Sequence, residues 1–180
     1  YVGYRAGRAS NGSDVTYMGY DSGLHATGSS NTCLGHRTMD ASSCAGSSNT
    51  AIGRENLGAL TTGDNNTTLG AFAGHDITTG DENTLIGSGV GQYITTGGEN
   101  VMLGAGLGTF GDTLTTGTRN VLIGRNVDVG ASDRNDALVI SAGNALVTDL
   151  GDGTSWIGAH DSGGSAGNMY RAQNESTWDT

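Results

Sequence analysis

The sequence predicts an all-β fold: a parallel β-roll or β-solenoid with coils of about 17 residues and two short strands per coil, assembled as a homotrimeric fibre. Three observations predict it. The first is a short repeat, Asn-Thr/Val-x-Leu/Ile-Gly, found at Asn31–Gly35, Asn49–Gly53, Asn66–Gly70, Asn83–Gly87, Asn100–Gly104 and Asn120–Gly124. Weaker copies end at Gly3, Gly19, Ser141 and Gly158, and the intervals along the series are 16, 16, 18, 17, 17, 17, 20, 17 and 17 residues. That period is too short for helical pairs or propeller blades and suits stacked coils. The second is a two-residue apolar alternation inside each copy. The third is composition, with 33 Gly and no Pro, which supplies tight corners while excluding collagen and polyproline geometry.

The first strand of each coil is expected to end just before the reference glycine, on Met18, Leu34, Ile52, Leu69, Ile86, Leu103, Ile123, Ile140 and Ile157. Alternation puts this column on one face with the Thr or Val two places earlier. The column between them, Tyr17, Cys33, Ala51, Thr68, Leu85, Met102, Leu122, Val139 and Trp156, grows more apolar toward the C-terminus and is expected to face outward. A strand apolar on both faces must be covered on both, by the coil's own interior and by a partner chain. A second glycine follows four residues on, at Gly7, Gly23, Gly74, Gly91 and Gly108, where a turn with positive φ would need it.

The second strand then carries one inward apolar residue into a Thr-Thr-Gly corner, at Leu60–Gly63, Ile77–Gly80, Ile94–Gly97 and Leu114–Gly117. Strand stacks on strand in register, and the Asn side chains form a ladder. About ten registers at roughly 4.8 Å give a rod on the order of 45 Å long. Each coil buries two or three medium side chains at about 2 kcal/mol apiece, against about 1–2 kcal/mol of backbone entropy per residue. Side-by-side association supplies the missing burial, and three chains about an axis is a closed arrangement suited to a fibre.

The repeat occupies residues 1–160, and 161–180 leave it as a C-terminal cap or tip. Because the repeat is already in register at Val2-Gly3, the chain is expected to begin partway through a longer protein. The eight basic residues are all Arg, against 18 Asp and Glu, and the net charge of −10 disfavours nucleic acid and anionic membranes as partners. No run of 18 apolar residues is present, so no membrane insertion is expected. Cys33 and Cys44 lack CxxC spacing or a paired His, and read as packed thiols or, alternatively, as a disulfide or metal pair.

The pattern Gly-x-x-x-Gly, then Thr-Thr-Gly-x-x-Asn-Thr-x-Leu-Gly, over Gly53 to Gly124 resembles the repeats of bacteriophage tail-fibre and neck-appendage proteins. It is also similar to the YadA-like heads of trimeric autotransporter adhesins, whose Asn-Ser-x-Ala-Ile-Gly coils form a parallel β-roll in a homotrimer. The resemblance covers residues 1 to 160, and the 17-residue coil with its Thr-Thr-Gly corner is closer to the phage form. It implies a non-catalytic structural and host-receptor-binding segment of a virion tail fibre, with itself and a host surface glycan or protein as partners. The alternative it implies is an adhesin head on a bacterial surface, and a polysaccharide depolymerase tailspike is a third. The segment from Ala166 to Thr180 resembles the stretch before a self-cleaving trimerisation chaperone, which would make Thr180 a processed C-terminus.

Candidate chemistry is sparse. Gly106-Leu-Gly108-Thr-Phe-Gly111 spells a dinucleotide fingerprint, but the chain runs on into a Thr-Thr-Gly corner and not a helix. This coil is three residues longer than its neighbours, so Thr109 to Asp112 should bulge and offer Phe110 for binding. Asp161-Ser162-Gly163-Gly164 after His160 lacks the rest of a nucleophile site and reads as a turn. His25, His36 and His75 have no metal-ligand spacing and read as surface residues. Asp64, Asp81 and Glu82 stack at one corner, which is either solvated or bridged by a cation such as Ca²⁺. Glu99 is expected to pair with Arg119 across coils. Trp156, Tyr170, Arg171 and Trp178 gather near the tip, for sugar or protein recognition or as a plug closing the trimer.

Overall fold

The computed structural model describes residues 1–105, 114–125, 127 and 131–140, and beyond these the backbone of 141, 146–148, 155–158 and 169–172. The described chain is all-β, a solenoid in which each coil contributes one strand to a single parallel sheet. The strands are β1 (Thr16–Met18), β2 (Thr32–Leu34), β3 (Thr50–Ile52), β4 (Thr67–Leu69), β5 (Thr84–Ile86), β6 (Val101–Ala105), β7 (Val121–Arg125) and β8 (Leu138–Ser141). Neighbours pair without a register shift, so Thr16, Thr32, Thr50, Thr67, Thr84, Val101, Val121 and Leu138 form one column. Val2 bridges Met18 and adds a partial rung before β1. Eight strands separated by about 4.8 Å make a stack roughly 34 Å long.

The stack stops at β8. β9 (Leu146–Thr148) pairs with it antiparallel, and β10 (Ser155–Gly158) pairs antiparallel with β11 (Met169–Ala172). The weak repeat ending at Gly158 is therefore a hairpin strand and not a further parallel rung.

Two expectations are corrected. The stretch before the Thr-Thr-Gly corner is not a second strand. Leu60, Ile77, Ile94 and Leu114 are fully buried as expected, but the main-chain bonds of the corner converge on one carbonyl: Thr78 O accepts from the N–H of Thr61 and Thr62 (2.9 and 3.1 Å), Thr95 O from Thr78 and Thr79 (2.8 and 3.4 Å), and Thr115 O from Thr95, Thr96 and Gly97 (2.8, 3.3 and 3.3 Å). Successive N–H groups sharing one carbonyl make a bend, not the evenly spaced bonds of a parallel ladder.

The two faces of the strand are also exchanged. Tyr17, Cys33, Ala51, Thr68, Leu85, Met102, Leu122 and Val139 point into the coil and are buried. The outward face carries Met18 (44% exposed), Leu34 (42%), Leu69 (45%), Leu103 (45%) and Ile140 (41%), with the Thr/Val column beside them. Alternation says that two columns lie on opposite faces but not which is inside. Volume decides it. Where the inward strand residue is small, as Cys33 and Ala51 are, Met39 and Leu57 fill the same coil from the position four after the reference glycine, adopting φ of 48° and 51° to do so. Where it is Tyr17 or Leu85, that position is Gly23 or Gly91: a Cβ on Gly91 would lie 2.9 Å from Leu85 Cδ1.

The expected asparagine ladder is present and buried. Asn31, Asn49, Asn66, Asn83, Asn100 and Asn120 are fully inaccessible. Asn66 Nδ2 donates to Asn49 Oδ1 (3.1 Å) and Gly80 O (2.9 Å), while its Oδ1 accepts from Asn83 N–H and Nδ2 (3.0 Å each). Every hydrogen-bonding group of the amide is satisfied, as burial demands. The ladder ends where Ala137 replaces asparagine, its N–H donating to Asn120 Oδ1 at 3.0 Å.

Candidate functional site

The residue following each reference glycine forms a column along one edge of the sheet, and at the N-terminal end this column is aromatic. Tyr4 stacks on Tyr20 with centroids 5.1 Å apart and planes 18° apart, and Tyr20 stacks on His36 at 5.2 Å and 10°. Tyr4 is 62% and Tyr20 46% exposed. Arg54 continues the column with its guanidinium 5.3 Å from the centroid of Phe72. Stacking occupies ring faces, so solvent meets a row of ring edges repeating at the coil pitch.

The next column is charged and alternates in sign: Arg5, Asp21, Arg37, Glu55. All four hold left-handed backbone, with φ of 53°, 52°, 52° and 51°, which places each at the same corner of its coil. Arg5 clasps Asp21 with two parallel bonds, Nε to Oδ1 and a terminal nitrogen to Oδ2, both 2.8 Å. Arg37 Nε donates to Asp40 Oδ2 at 2.7 Å, and that bond, with Glu55 and Asp21 as smaller contributors, holds its guanidinium above the ordinary arginine range. Arg5 also lies 5.6 Å from the Tyr4 ring centroid. Coil stacking thus assembles aromatic edges and paired planar ions into one ridge.

The acidic corner has a structural job. Asp64 Oδ1 accepts the Ser47 N–H at 2.6 Å and Asp81 Oδ1 accepts the Asp64 N–H at 2.8 Å, each carboxylate reaching back one coil. Ser29 and Ser47 do the same through their hydroxyls, both at 3.2 Å. Glu82 is exposed, with a φ of 59°. Among the described residues no three His, Cys, Asp or Glu side chains converge as a metal site. Arg119 does not pair with Glu99 as expected. It forks onto Asp136 of the following coil at 2.6 and 3.0 Å, because the register sets Asp136 opposite it, and this bond lowers the Asp136 pKa and raises that of Arg119.

Phe110 with its long coil, Trp178 and the segment from His160 to Gly164 lie outside the described residues. Trp156 and Tyr170–Arg171 fall on β10 and β11, whose register sets Trp156 opposite Arg171 and Tyr170 opposite Ile157. Cys33 and Cys44 are free and buried, and burial lifts both thiols, Cys44 to about 11 and Cys33 further. His36 is exposed in the stack, whereas His25 and His75 are half-buried. The aromatic ridge was not among the expected sites. Its signal, Tyr4, Tyr20 and His36 each following the glycine position, is readable once the columns beyond the strand are aligned. Comparison with protein-family models, curated proteins and solved structures finds no match to this chain.

Proposed function

We infer that the chain is a non-enzymatic segment of a phage tail fibre or appendage, a homotrimer that spaces or presents a host-attachment site on the virion. The observation that carries this is the outward face of β1–β8. It bears no charged side chain along its two columns, and Met18, Leu34, Leu69, Leu103 and Ile140 stand more than 40% exposed with Ile52, Ile86 and Ile123 half-buried between them. Monomeric proteins seldom leave a continuous apolar strip of this length uncovered. The column beside it changes from Thr in β1–β5 to Val101, Val121 and Leu138 in β6–β8, so association is tightest toward the C-terminal end.

Two columns about 7 Å apart make a strip of smaller area than the roughly 800 Å² per partner of a stable pair. In a ring of three, each chain meets two neighbours and adds the corners beside the Val101, Val121 and Leu138 end of the strip, leaving the N-terminal corners free. The phage assignment over an adhesin head rests on the coil length and the Thr-Thr-Gly corner.

Sedimentation equilibrium tests it directly. The wild type is expected to be a trimer, and a Leu103→Glu/Ile123→Glu variant a monomer with unchanged far-ultraviolet circular dichroism. A monomeric wild type would sink the proposal. Incubation with capsular polysaccharide is expected to release no reducing ends, and their appearance would overturn the non-catalytic part.

A further inference from the structure

The N-terminal ridge is not needed for association through the sheet face, and its make-up suits a ligand of its own. We propose that Tyr4, Tyr20 and His36, with the Arg5–Asp21 and Arg37–Asp40 pairs beside them, form a binding site for a neutral, extended glycan lying along the rod axis.

Three properties converge on that ligand. The first is the step. The ring centroids are 5.1 and 5.2 Å apart, and an extended β-1,4-linked hexopyranose chain advances by nearly the same distance per sugar, so sugars keep step with coils and, in the two-fold chain, every second sugar turns the same edge to the ridge. The second is the chemistry of the groups. Phenol hydroxyls and an imidazole donate and accept singly, while the Arg5 and Arg37 guanidinium groups, each fixed by a largely covered carboxylate, present their remaining N–H donors to sugar hydroxyls. The ring edges between these groups are the positive rims of the rings and meet the electronegative oxygens of a sugar.

The third is charge. Residues 1–57 carry four Arg and four carboxylates, whereas residues 58–180 carry four Arg and fourteen. The whole net charge of −10 therefore belongs to the rest of the chain. A polyanion is repelled by that majority of the molecule, and a polycation is drawn to it and away from the ridge. The neutral end is left to an uncharged polymer rich in hydroxyls.

Stacking by itself would stabilise the exposed end of the solenoid, so the test separates ligand contact from structure. The full chain is titrated calorimetrically with cellohexaose and chitohexaose, and with an isomalto-oligosaccharide and oligosialic acid as controls. Saturable binding of a β-1,4-linked oligomer, with neither control bound, is the expected result. Tyr4→Phe/Tyr20→Phe keeps both rings and removes only the hydroxyls, and is expected to weaken binding about tenfold with Tm unchanged.

No binding by the wild type, equal binding by the Phe double variant, or binding of the isomalto-oligosaccharide as strong as that of the β-linked oligomers would each overturn the proposal. The Leu103→Glu/Ile123→Glu variant is titrated in parallel. Retained affinity there supports a site within one chain, whether or not the chain trimerises, and lost affinity overturns it by assigning the binding to an assembled surface.

Discussion

Each coil interior is a shared volume, and two residues divide it. Ala51 and Leu57 split it one way, Leu85 and Gly91 the other. Leu57→Gly alone is expected to cost about 2–4 kcal/mol, from the cavity it leaves less the relief of a left-handed leucine. Ala51→Leu alone overpacks by about 1–3 kcal/mol. The double variant rebuilds the arrangement of the Leu85 coil and should recover most of both losses, a coupling that urea denaturation of all four proteins would measure.

The buried thiols and Tyr17 set the alkaline limit. Cys44 rises from 9.0 to about 11 through burial, and Tyr17 from 10.0 to about 12, also through burial. The unfolded chain loses these protons first, so stability is full below pH 9 and falls as pH climbs toward 11. Denaturation midpoints at pH 7, 9 and 10.5 check this, and Cys44→Ala should flatten the decline. The asparagine and glycine columns were legible from spacing alone, since a fixed period names a stacked position whatever its environment. The inward column was not, because Ala51 and Ile52 are both apolar and only the partner residue Leu57, far along the coil, shows which of them has room.

At the scale of elements, one strand of three to five residues per coil carries the regular pairing, and the rest of the coil is corners. The corner before β5 holds Glu82 and that before β6 holds Glu99, both with left-handed backbone, and the N–H of Glu99 donates to Asp81 O at 2.9 Å. Such corners read as a second strand in the sequence because an apolar residue flanked by Thr has strand chemistry. What prevents a strand is the turn on either side, which gathers successive N–H groups onto one carbonyl of the next coil. The stacked reference glycines are the least forgiving element. A Cβ on Gly70, where φ is 138°, would run into the carbonyl of Gly87 in the next coil. Gly70→Ala is expected to prevent folding or lower Tm by more than 10 °C, about 3 kcal/mol or more. Gly58→Ala, where a Cβ meets only the edge of the His75 ring at 3.1 Å, should shift Tm little, and a pair of thermal melts would show the contrast.

For the whole molecule, regularity predicts tolerance to losing a complete unit. Deleting residues 71–87 joins Gly70 to Ser88 and brings Asn66 over Asn100 and Gly63 over Gly97, the same pairings one coil further along. The shortened rod should fold, with a length about 4.8 Å less by small-angle scattering, whereas removing 71–79 breaks the register and should leave an unfolded chain. The aromatic ridge stayed hidden at this scale too, since no single Tyr marks it and only three coils placed side by side do.

The strand that turns back at the far end has a wider meaning. By reversing direction against β8, β9 offers a passing copy of the rod no edge that matches its own parallel coils. Rods packed at high concentration are thereby denied coil-upon-coil growth at that end, the route by which stacked β-structure becomes an endless filament. β9 thus closes the parallel run at β8 with a strand of opposite direction.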